Sequence, residues 1–279
     1  MKIVGFIFLS LLPCNISIAQ VVTLEHEGIA IKEVSIQMPD GVQLAADLYM
    51  PLAFEANQKL PVLLEYLPYR KTEGRMHRFG LYSYFVNRGY IVAHVDIRGT
   101  GNSESKLIEY EYTDQEQEDG EAVIDWLSKQ GFSNGNVGMF GISWGGFNSL
   151  HLAMRKPPAL KAIISLMSTD DLYEDDVHYI DGMLHVDAYE IGQDLANAMP
   201  GAPDFLIDDH YFKTRFETTP WMLIYKQQQR DGEFWNRGSL NTFRSDKKYF
   251  YYEYTLNLYE TMKLIRSKTW KKKIKRDFH

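Results

Sequence analysis

Val137-Gly138-Met139-Phe140-Gly141-Ile142-Ser143-Trp144-Gly145-Gly146 is the stretch on which the fold of this chain turns. A short apolar run enters it. An amphipathic helical pattern leaves it, with Phe147, Leu150 and Met154 at i, i+3 and i+7, until Lys156-Pro157-Pro158 stops the helix. Strand, tight turn, serine and helix in that order are the layout of a nucleophile elbow. The chain reverses so sharply there that side chains two residues before and two after the serine would collide with strand and helix; Gly141 and Gly145 meet that need. The turn exposes the Ser143 hydroxyl at the carboxyl edge of a sheet, and it turns the helix N-terminus and the Trp144 backbone N–H toward the place where an oxyanion would form. A structural glycine-rich turn is the competing reading of the five-residue pattern taken alone.

Working outward, Val34, Ile36 and Met38 alternate with polar residues, Pro39-Asp40-Gly41 marks a turn, and Val42, Leu44 and Leu48-Tyr49 follow, which predicts an antiparallel hairpin. Leu60 to Tyr66, Tyr90 to Val95, Val137 to Phe140 and Leu160 to Leu166 read as parallel strands, with helical periodicity in much of what separates them. Glu118 to Gln130 places Ala122, Val123, Trp126 and Leu127 on one face, and Asn134-Gly135 closes the connection before the serine strand. Alternating β and α elements with right-handed crossovers predict a doubly wound, mostly parallel α/β sheet over residues 28–168. Residues 169–242 differ in kind. Asp170, Asp171, Glu174, Asp175 and Asp176 cluster first, and Tyr211, Phe212, Phe216, Trp221, Phe234 and Trp235 follow in a helical context, so this stretch reads as an inserted helical cap.

The 279 residues, 45% hydrophobic and 24% charged, suffice for a large core. A net charge of −7 argues against a nucleic-acid surface over most of the chain. No apolar run after the N-terminus reaches the ~18 residues of a membrane span. Met1-Lys2, the apolar Ile3 to Leu12 and Ser17-Ile18-Ala19 before Gln20 form a signal-peptide pattern over residues 1–19 with cleavage after Ala19, which predicts export to a periplasmic or secreted location. A buried first strand or helix is the alternative. Cys14 is the sole cysteine, so a cleaved chain would carry neither disulfide nor thiol chemistry. Leu11-Leu12-Pro13-Cys14 faintly resembles a lipoprotein box, with Pro13 where Gly or Ala is wanted.

Several motifs in order carry a family resemblance: Pro68-Tyr69-Arg70-Lys71, Asp96-Ile97-Arg98-Gly99-Thr100-Gly101-Asn102-Ser103-Glu104, Gly120-x4-Asp125-Trp126-Leu127, Gly138 to Gly146, Asp175-Asp176-Val177-His178-Tyr179, and Phe234-Trp235-x-Arg237-Gly238-Ser239-Leu240. Over about residues 28 to 242 the chain resembles the X-Pro dipeptidyl-peptidase-like and cocaine-esterase-like α/β hydrolases. The resemblance implies an α/β-hydrolase sheet with an inserted helical cap, and a serine hydrolase acting on an ester or amide, with a small molecule or peptide as substrate. It also implies Ser143 as the acylated nucleophile, the Tyr69 hydroxyl and Trp144 N–H as the oxyanion hole, Asp176 as a candidate contact to a substrate ammonium group, and neither metal nor organic cofactor. Physical chemistry allows each role, since a phenol at a strand end can donate one hydrogen bond to an oxyanion. Tyr69 also reads as a half-buried core tyrosine, and Asp175-Asp176 as a solvated charge run. Asp96 and Arg98 are expected to be structural, through an ion pair or loop hydrogen bonds in the Gly99-Thr100-Gly101 turn.

The pattern breaks after the cap. A serine needs a histidine to take its proton and a carboxylate to orient that histidine, in the chain order Ser, Asp, His for this fold. His26, His77, His94 and His151 precede the nucleophile or lie on its helix, His178, His185 and His210 fall in the cap, and His279 is the last residue. None has the expected setting. From Ser245 to His279 there are ten Lys or Arg against four Asp or Glu, so residues 243–279 form an atypical basic tail without a strand, glycine turn, strand sequence. Either the reading frame shifts near Phe243 and the sheet is truncated before its last strands, or the tail is a binding element on a degenerate hydrolase. On both readings the expectation is an impaired catalyst or a non-catalytic binding remnant with a basic interaction tail.

Overall fold

The computed structural model describes residues 23–55, 57–174, 179–180, 183–184, 196–237, 244–245, 249–260 and 263–275. The expected signal peptide over residues 1–19 and Cys14 lie outside the described residues, as do Asp175, Asp176, His178, His185, Gly238 to Leu240 and His279.

A seven-stranded sheet organises the body in the order β1-β2-β3-β5-β4-β6-β7. Its strands are β1 (Thr23–His26), β2 (Ile29–Gln37), β3 (Gln43–Pro51), β4 (Leu60–Leu67), β5 (Ile91–Asp96), β6 (Ser133–Ile142) and β7 (Leu160–Leu166). The first three pair antiparallel, and β3 runs antiparallel to β5. β4 to β7 are parallel, joined by α1 (Lys71–Val86), α2 (Asp114–Lys129) and α3 (Trp144–Arg155). The β2–β3 turn follows from Asp40-Gly41: the Asp40 carboxylate accepts from the Val42 N–H at 3.2 Å, and Gly41 takes φ +91°. β1 carries no alternation long enough to be legible and forms by pairing with β2.

Period-two alternation sorts the strands onto two apolar layers. Val62, Leu64, Tyr66, Ala93, Val95, Val137 and Met139 face the layer that contains Val123, Ile124 and Leu127 of α2 and Phe147 and Leu152 of α3. Ile29, Ile31, Tyr49, Val92 and Phe140 face Tyr82 and Val86 of α1. On α3 the three apolar positions divide: Phe147 is buried as expected, Leu150 is only partly covered and Met154 is exposed, while Asn148, His151 and Leu152 are buried as well. Helix α3 lies over both β6 and β7 and against α2, and this wide contact selects a broader, more polar face than three apolar residues suggested.

Among the described residues strand β7 forms one edge of the sheet and is poorly covered, with Ile164 and Leu166 about half exposed. Beside it, on the α1 side, an open groove of about 480 Å³ is lined by Leu63, Phe85, Tyr90, Phe140, Ala162 and Ile164. An unpaired edge next to uncovered apolar surface is an association-prone combination.

The tail is corrected by the structure. Its backbone forms antiparallel strands over Tyr249–Glu260 and Lys263–Lys275, paired from Tyr249↔Lys275 to Glu260↔Lys263, with Arg244–Ser245 added beside the first. The sequence reading looked for a glycine turn. Antiparallel pairing does not require one, and the aromatic, Thr and Leu content of 249–260 favours extended backbone.

Candidate active site

Ser143 lies between the end of β6 and the start of α3 at φ 56° and ψ −121°. Positive φ at a non-glycine residue costs on the order of 1–3 kcal/mol and persists only where the surroundings fix it. Here the Ser143 N–H donates to Leu166 O at 2.9 Å, and the Phe147 N–H donates to Ser143 O at 3.0 Å. The glycines read from the sequence divide their roles. A Cβ on Gly141 would lie 2.4 Å from the Gly145 carbonyl carbon, whereas one on Gly145 would meet the Leu67 side chain at 3.3 Å and Glu65 Cγ at 3.9 Å. The tight position on the helix side is Gly146, where a Cβ would fall 2.6 Å from Leu166 O. Trp144 is the first residue of α3, so its backbone N–H is among those with no intrahelical acceptor.

Tyr69 reaches the same edge by topology. β4 and β6 are parallel neighbours, so their carboxyl ends, Leu67 and Ile142, emerge side by side, and Tyr69 follows β4 by two residues, half-buried against the core. Leu67 is also the side chain beside Gly145. The turn carrying Tyr69 is held by Asp96, whose Oδ1 accepts from the Lys71 N–H at 2.6 Å and whose Oδ2 accepts from the Asn102 N–H at 3.2 Å. Burial pushes the Asp96 carboxyl up to about 7, against the pull of Lys71 and the Asn102 N–H. Of the two roles expected for Asp96 and Arg98, Asp96 takes the loop hydrogen bonds. Arg98 pairs elsewhere: its Nε and Nη2 donate to Asp119 on α2, each at 2.7 Å, and its Nη1 to Asp40 at 2.7 Å. The bidentate carboxylate on α2 suits a planar guanidinium better than Asp96, whose oxygens already hold two backbone N–H groups.

Beneath this edge a charged layer joins α1 to the sheet. The Lys71 ammonium donates to buried Asp47 at 2.7 Å, and Arg75 donates to both Asp47 and Glu33. Burial opposes ionisation of Asp47, but Arg75 and Lys71 together hold its carboxyl below the usual range. His94 on β5 sits within this layer, 1% exposed, with neither ring nitrogen hydrogen-bonded among the described residues. Burial pushes its imidazole down to about 3, with Arg78, Lys71 and Arg75 adding to the effect and Asp47 opposing it. The folded state therefore holds His94 neutral, and stability present above about pH 6.5 is lost as the pH falls toward 3, by at most about 5 kcal/mol from one group. His94→Leu is expected to flatten the stability profile between pH 6.5 and 3 in urea unfolding; an unchanged acid slope would show that the loss arises at other groups.

A buried carboxylate that the sequence reading did not single out lies behind the elbow. Glu116 on α2 accepts from the Trp144 indole N–H at 2.6 Å and from the Asn148 amide at 2.8 Å through Oε1, and from the Tyr112 N–H at 2.9 Å through Oε2. Burial pushes its carboxyl up to about 7, while those three donors pull it back. The legible signal was Thr113-x-x-Glu116, a capping box. Only half of the box forms: the Glu116 N–H donates to Thr113 Oγ1 at 3.2 Å, while the carboxylate points to the elbow.

The described part of the cap packs on the loop after β5. Trp221 donates to Ile108 O at 3.0 Å, the Tyr225 hydroxyl to Glu111 at 2.9 Å and Arg215 to Gly101 O at 2.8 Å, and the Trp221 ring lies 5.5 Å from Trp144. Trp235 is fully buried and Arg237 lies over the Phe234 and Tyr110 rings, whereas Phe212 and Phe216 are exposed. Asp176 lies outside the described residues. Among the described histidines none hydrogen-bonds Ser143: His151 packs edge-on to Tyr112 on α3, His94 is enclosed on β5, His26 lies against Phe79, and His77 and His210 stand at the surface. No group of three or more metal-ligating side chains occurs, and no helix is long and apolar enough to cross a membrane, among the described residues.

The profile of the X-Pro dipeptidyl-peptidase (S15) family matches residues 40–252. The chain is 34% identical over 164 residues to a cocaine esterase of Rhodococcus sp. (strain MB1 Bresler), a match covering 56% of this chain and 26% of the esterase. It spans about a quarter of the length of the curated relatives it matches. In fold it is similar to a CocE/NonD family hydrolase from Staphylococcus aureus, with a TM-score of 0.59 at 21% identity over 76% of this chain and 38% of that one. It is likewise similar to an aminopeptidase from a marine sediment archaeon of the Thaumarchaeota, with a TM-score of 0.61 at 21% identity over 80% of this chain and 42% of that one. These likenesses show a mostly parallel α/β-hydrolase sheet: the strand pattern predicted the doubly wound sheet, and the family resemblance implied its hydrolase form.

Proposed function

The chain belongs to the X-Pro dipeptidyl-peptidase (S15) family, and on that premise we propose that it carries the nucleophile half of a serine hydrolase acting on an ester or amide. In this reading Ser143 Oγ attacks the carbonyl carbon. The Trp144 N–H and Tyr69 hydroxyl steady the oxygen as it becomes negative, and an acyl-enzyme forms as the leaving alcohol or amine departs. The observation that carries the reading is the backbone at Ser143: a strained φ of 56° at the junction of β6 and α3, on the sheet edge where β4 delivers Tyr69.

Turnover is the weak step in the same reading. The serine proton must pass to a base; among the described residues no imidazole hydrogen-bonds Ser143, and His178, His185 and His279 lie outside them, so slow turnover is a part of the proposal that stands on the sequence pattern alone. Export rests on the Met1 to Ala19 pattern, and ammonium recognition on Asp176; both are parts of the proposal that stand on the sequence alone. A fluorescent serine-reactive phosphonate is the direct test, with the adduct mapped by peptide mass. The expected result is a saturable adduct on Ser143 that forms faster than on other serines and is lost after unfolding in urea. An adduct spread over surface serines, or one unchanged by unfolding, would overturn the reading in favour of a non-catalytic binding remnant.

A further inference from the structure

We propose that Glu116 is a positioning residue for the oxyanion site, acting through the Trp144 indole and the Asn148 amide to fix the Trp144 backbone N–H relative to the strand end that carries Tyr69. The inference rests on the hydrolase reading above and goes beyond it, because Glu116 touches neither the serine nor the place where substrate would sit.

The geometry is that of a hub. Oε1 of Glu116 holds Trp144, the residue after the serine, and Asn148 one turn further along α3. Asn148 donates its second amide hydrogen to Tyr66 O at 3.1 Å, one residue before the end of β4 and three before Tyr69, and its own carbonyl is fixed by Gln117 at 3.1 Å. The Tyr66 hydroxyl returns to the Glu116 main-chain carbonyl at 3.1 Å. Oε2 holds the N–H of Tyr112, a residue at φ 59° whose ring packs 5.4 Å from the Trp144 ring. The Glu116 side chain thus bonds the nucleophile helix and the loop under the cap directly, and reaches the strand before Tyr69 through Asn148. It is 0% exposed, as is Asn148, and Trp144 is 2% exposed.

Placement of this kind has a physical reason. An oxyanion hole works only when its donors stand where the charge will develop before it develops, so the two donors must be fixed relative to each other. Here they follow different strands, Trp144 after β6 and Tyr69 after β4, and Ser143 sits in a strained backbone conformation that relaxes unless its neighbours are held. Trp144 is held by its ring as well as by its helix, and Glu116 is the group that accepts the ring's only polar hydrogen. Asn148 extends the same anchor to β4.

The test uses the full chain and phosphonylation kinetics at Ser143, resolved into the limiting rate and the half-saturating concentration. Glu116→Gln keeps the shape but turns an N–H donor toward one of the three donors, and Trp144→Phe removes the indole N–H while keeping the backbone N–H. Each is expected to lower the limiting rate about tenfold with little change in half-saturation, and the double variant is expected to be no slower than the worse single one, because both cut the same link. An indole N–H resonance that Trp144→Phe deletes is expected to move in Glu116→Gln, and thermal unfolding reports whether each variant is folded. A limiting rate in Glu116→Gln equal to that of the parent overturns the proposal, as do single effects that multiply in the double variant. If Glu116→Gln fails to fold, Trp144→Phe decides alone: an unchanged limiting rate overturns the proposal. A parent chain that phosphonylates no faster than Ser143→Ala removes the hydrolase reading itself, and the positioning role falls with it.

Discussion

Tyr69→Phe is expected to slow acylation of Ser143 by about 10²–10³-fold while leaving the fold intact, the effect of removing one oxyanion donor of about 2.7–4 kcal/mol. The ring of Tyr69 packs half-buried against the core, and phenylalanine keeps that packing. What is lost is a single hydroxyl two residues past the end of β4, on the edge where the parallel β4–β6 pairing also delivers Ser143. A donor that strengthens its bond only as the carbonyl oxygen becomes charged affects the limiting rate and leaves half-saturation nearly unchanged. Phosphonylation or activated-ester kinetics on parent and variant give the answer directly. A loss smaller than about threefold, accompanied by a lower unfolding midpoint, would make Tyr69 a core tyrosine and would take the oxyanion role from it.

The second large effect concerns backbone. Gly141→Ala is expected to destabilise the body by at least about 3 kcal/mol, at the upper end of what added volume does in a packed interior, and to abolish labelling at Ser143. The new methyl carbon would stand 2.4 to 2.6 Å from the carbonyl carbon, Cα and oxygen of Gly145. Those are backbone atoms, so no rotamer change relieves the overlap; the end of β6 and the first turn of α3 must separate, and the contacts that hold Ser143 at positive φ go with them. Gly131→Ala is the matched control, because a Cβ there meets nothing within 4 Å. Urea unfolding of the pair, followed by intrinsic fluorescence, measures the difference. A Gly141→Ala midpoint equal to that of Gly131→Ala would mean that the turn is looser than the close approach of Gly141 to Gly145 implies.

Asp96 and Glu116 show why the site has two supports. Each is a buried carboxylate that accepts main-chain or side-chain N–H groups from the segment following a strand: Asp96 holds the turn of Tyr69, and Glu116 holds the residue after Ser143. Burial raises both carboxyls to about 7, against the N–H groups that each accepts. The sequence marks Asp96 through its place in the Asp96 to Glu104 run. It gives no comparable mark to Glu116, whose only local pattern is a helix cap.

The sequence by itself determined the doubly wound body, because apolar runs and glycine positions are local. Leu60 to Leu67, Ile91 to Asp96 and Leu160 to Leu166 fall within one or two residues of the predicted strands, and the hairpin turn at Asp40-Gly41 forms as expected. It also read the strand, turn and helix around Ser143, since an elbow is a short-range constraint of glycine, serine and glycine between a strand and a helix, whereas Tyr69 was singled out by the family resemblance. Tertiary structure alone decided which face of α3 is buried, that Arg98 pairs with Asp119 and Asp40 while Asp96 staples two loops, and that Glu116 reaches Trp144 across 28 residues of chain. These outcomes depend on which elements the sheet order sets side by side. A buried polar group takes the partner that burial leaves within reach, and no period or spacing in the chain records that choice.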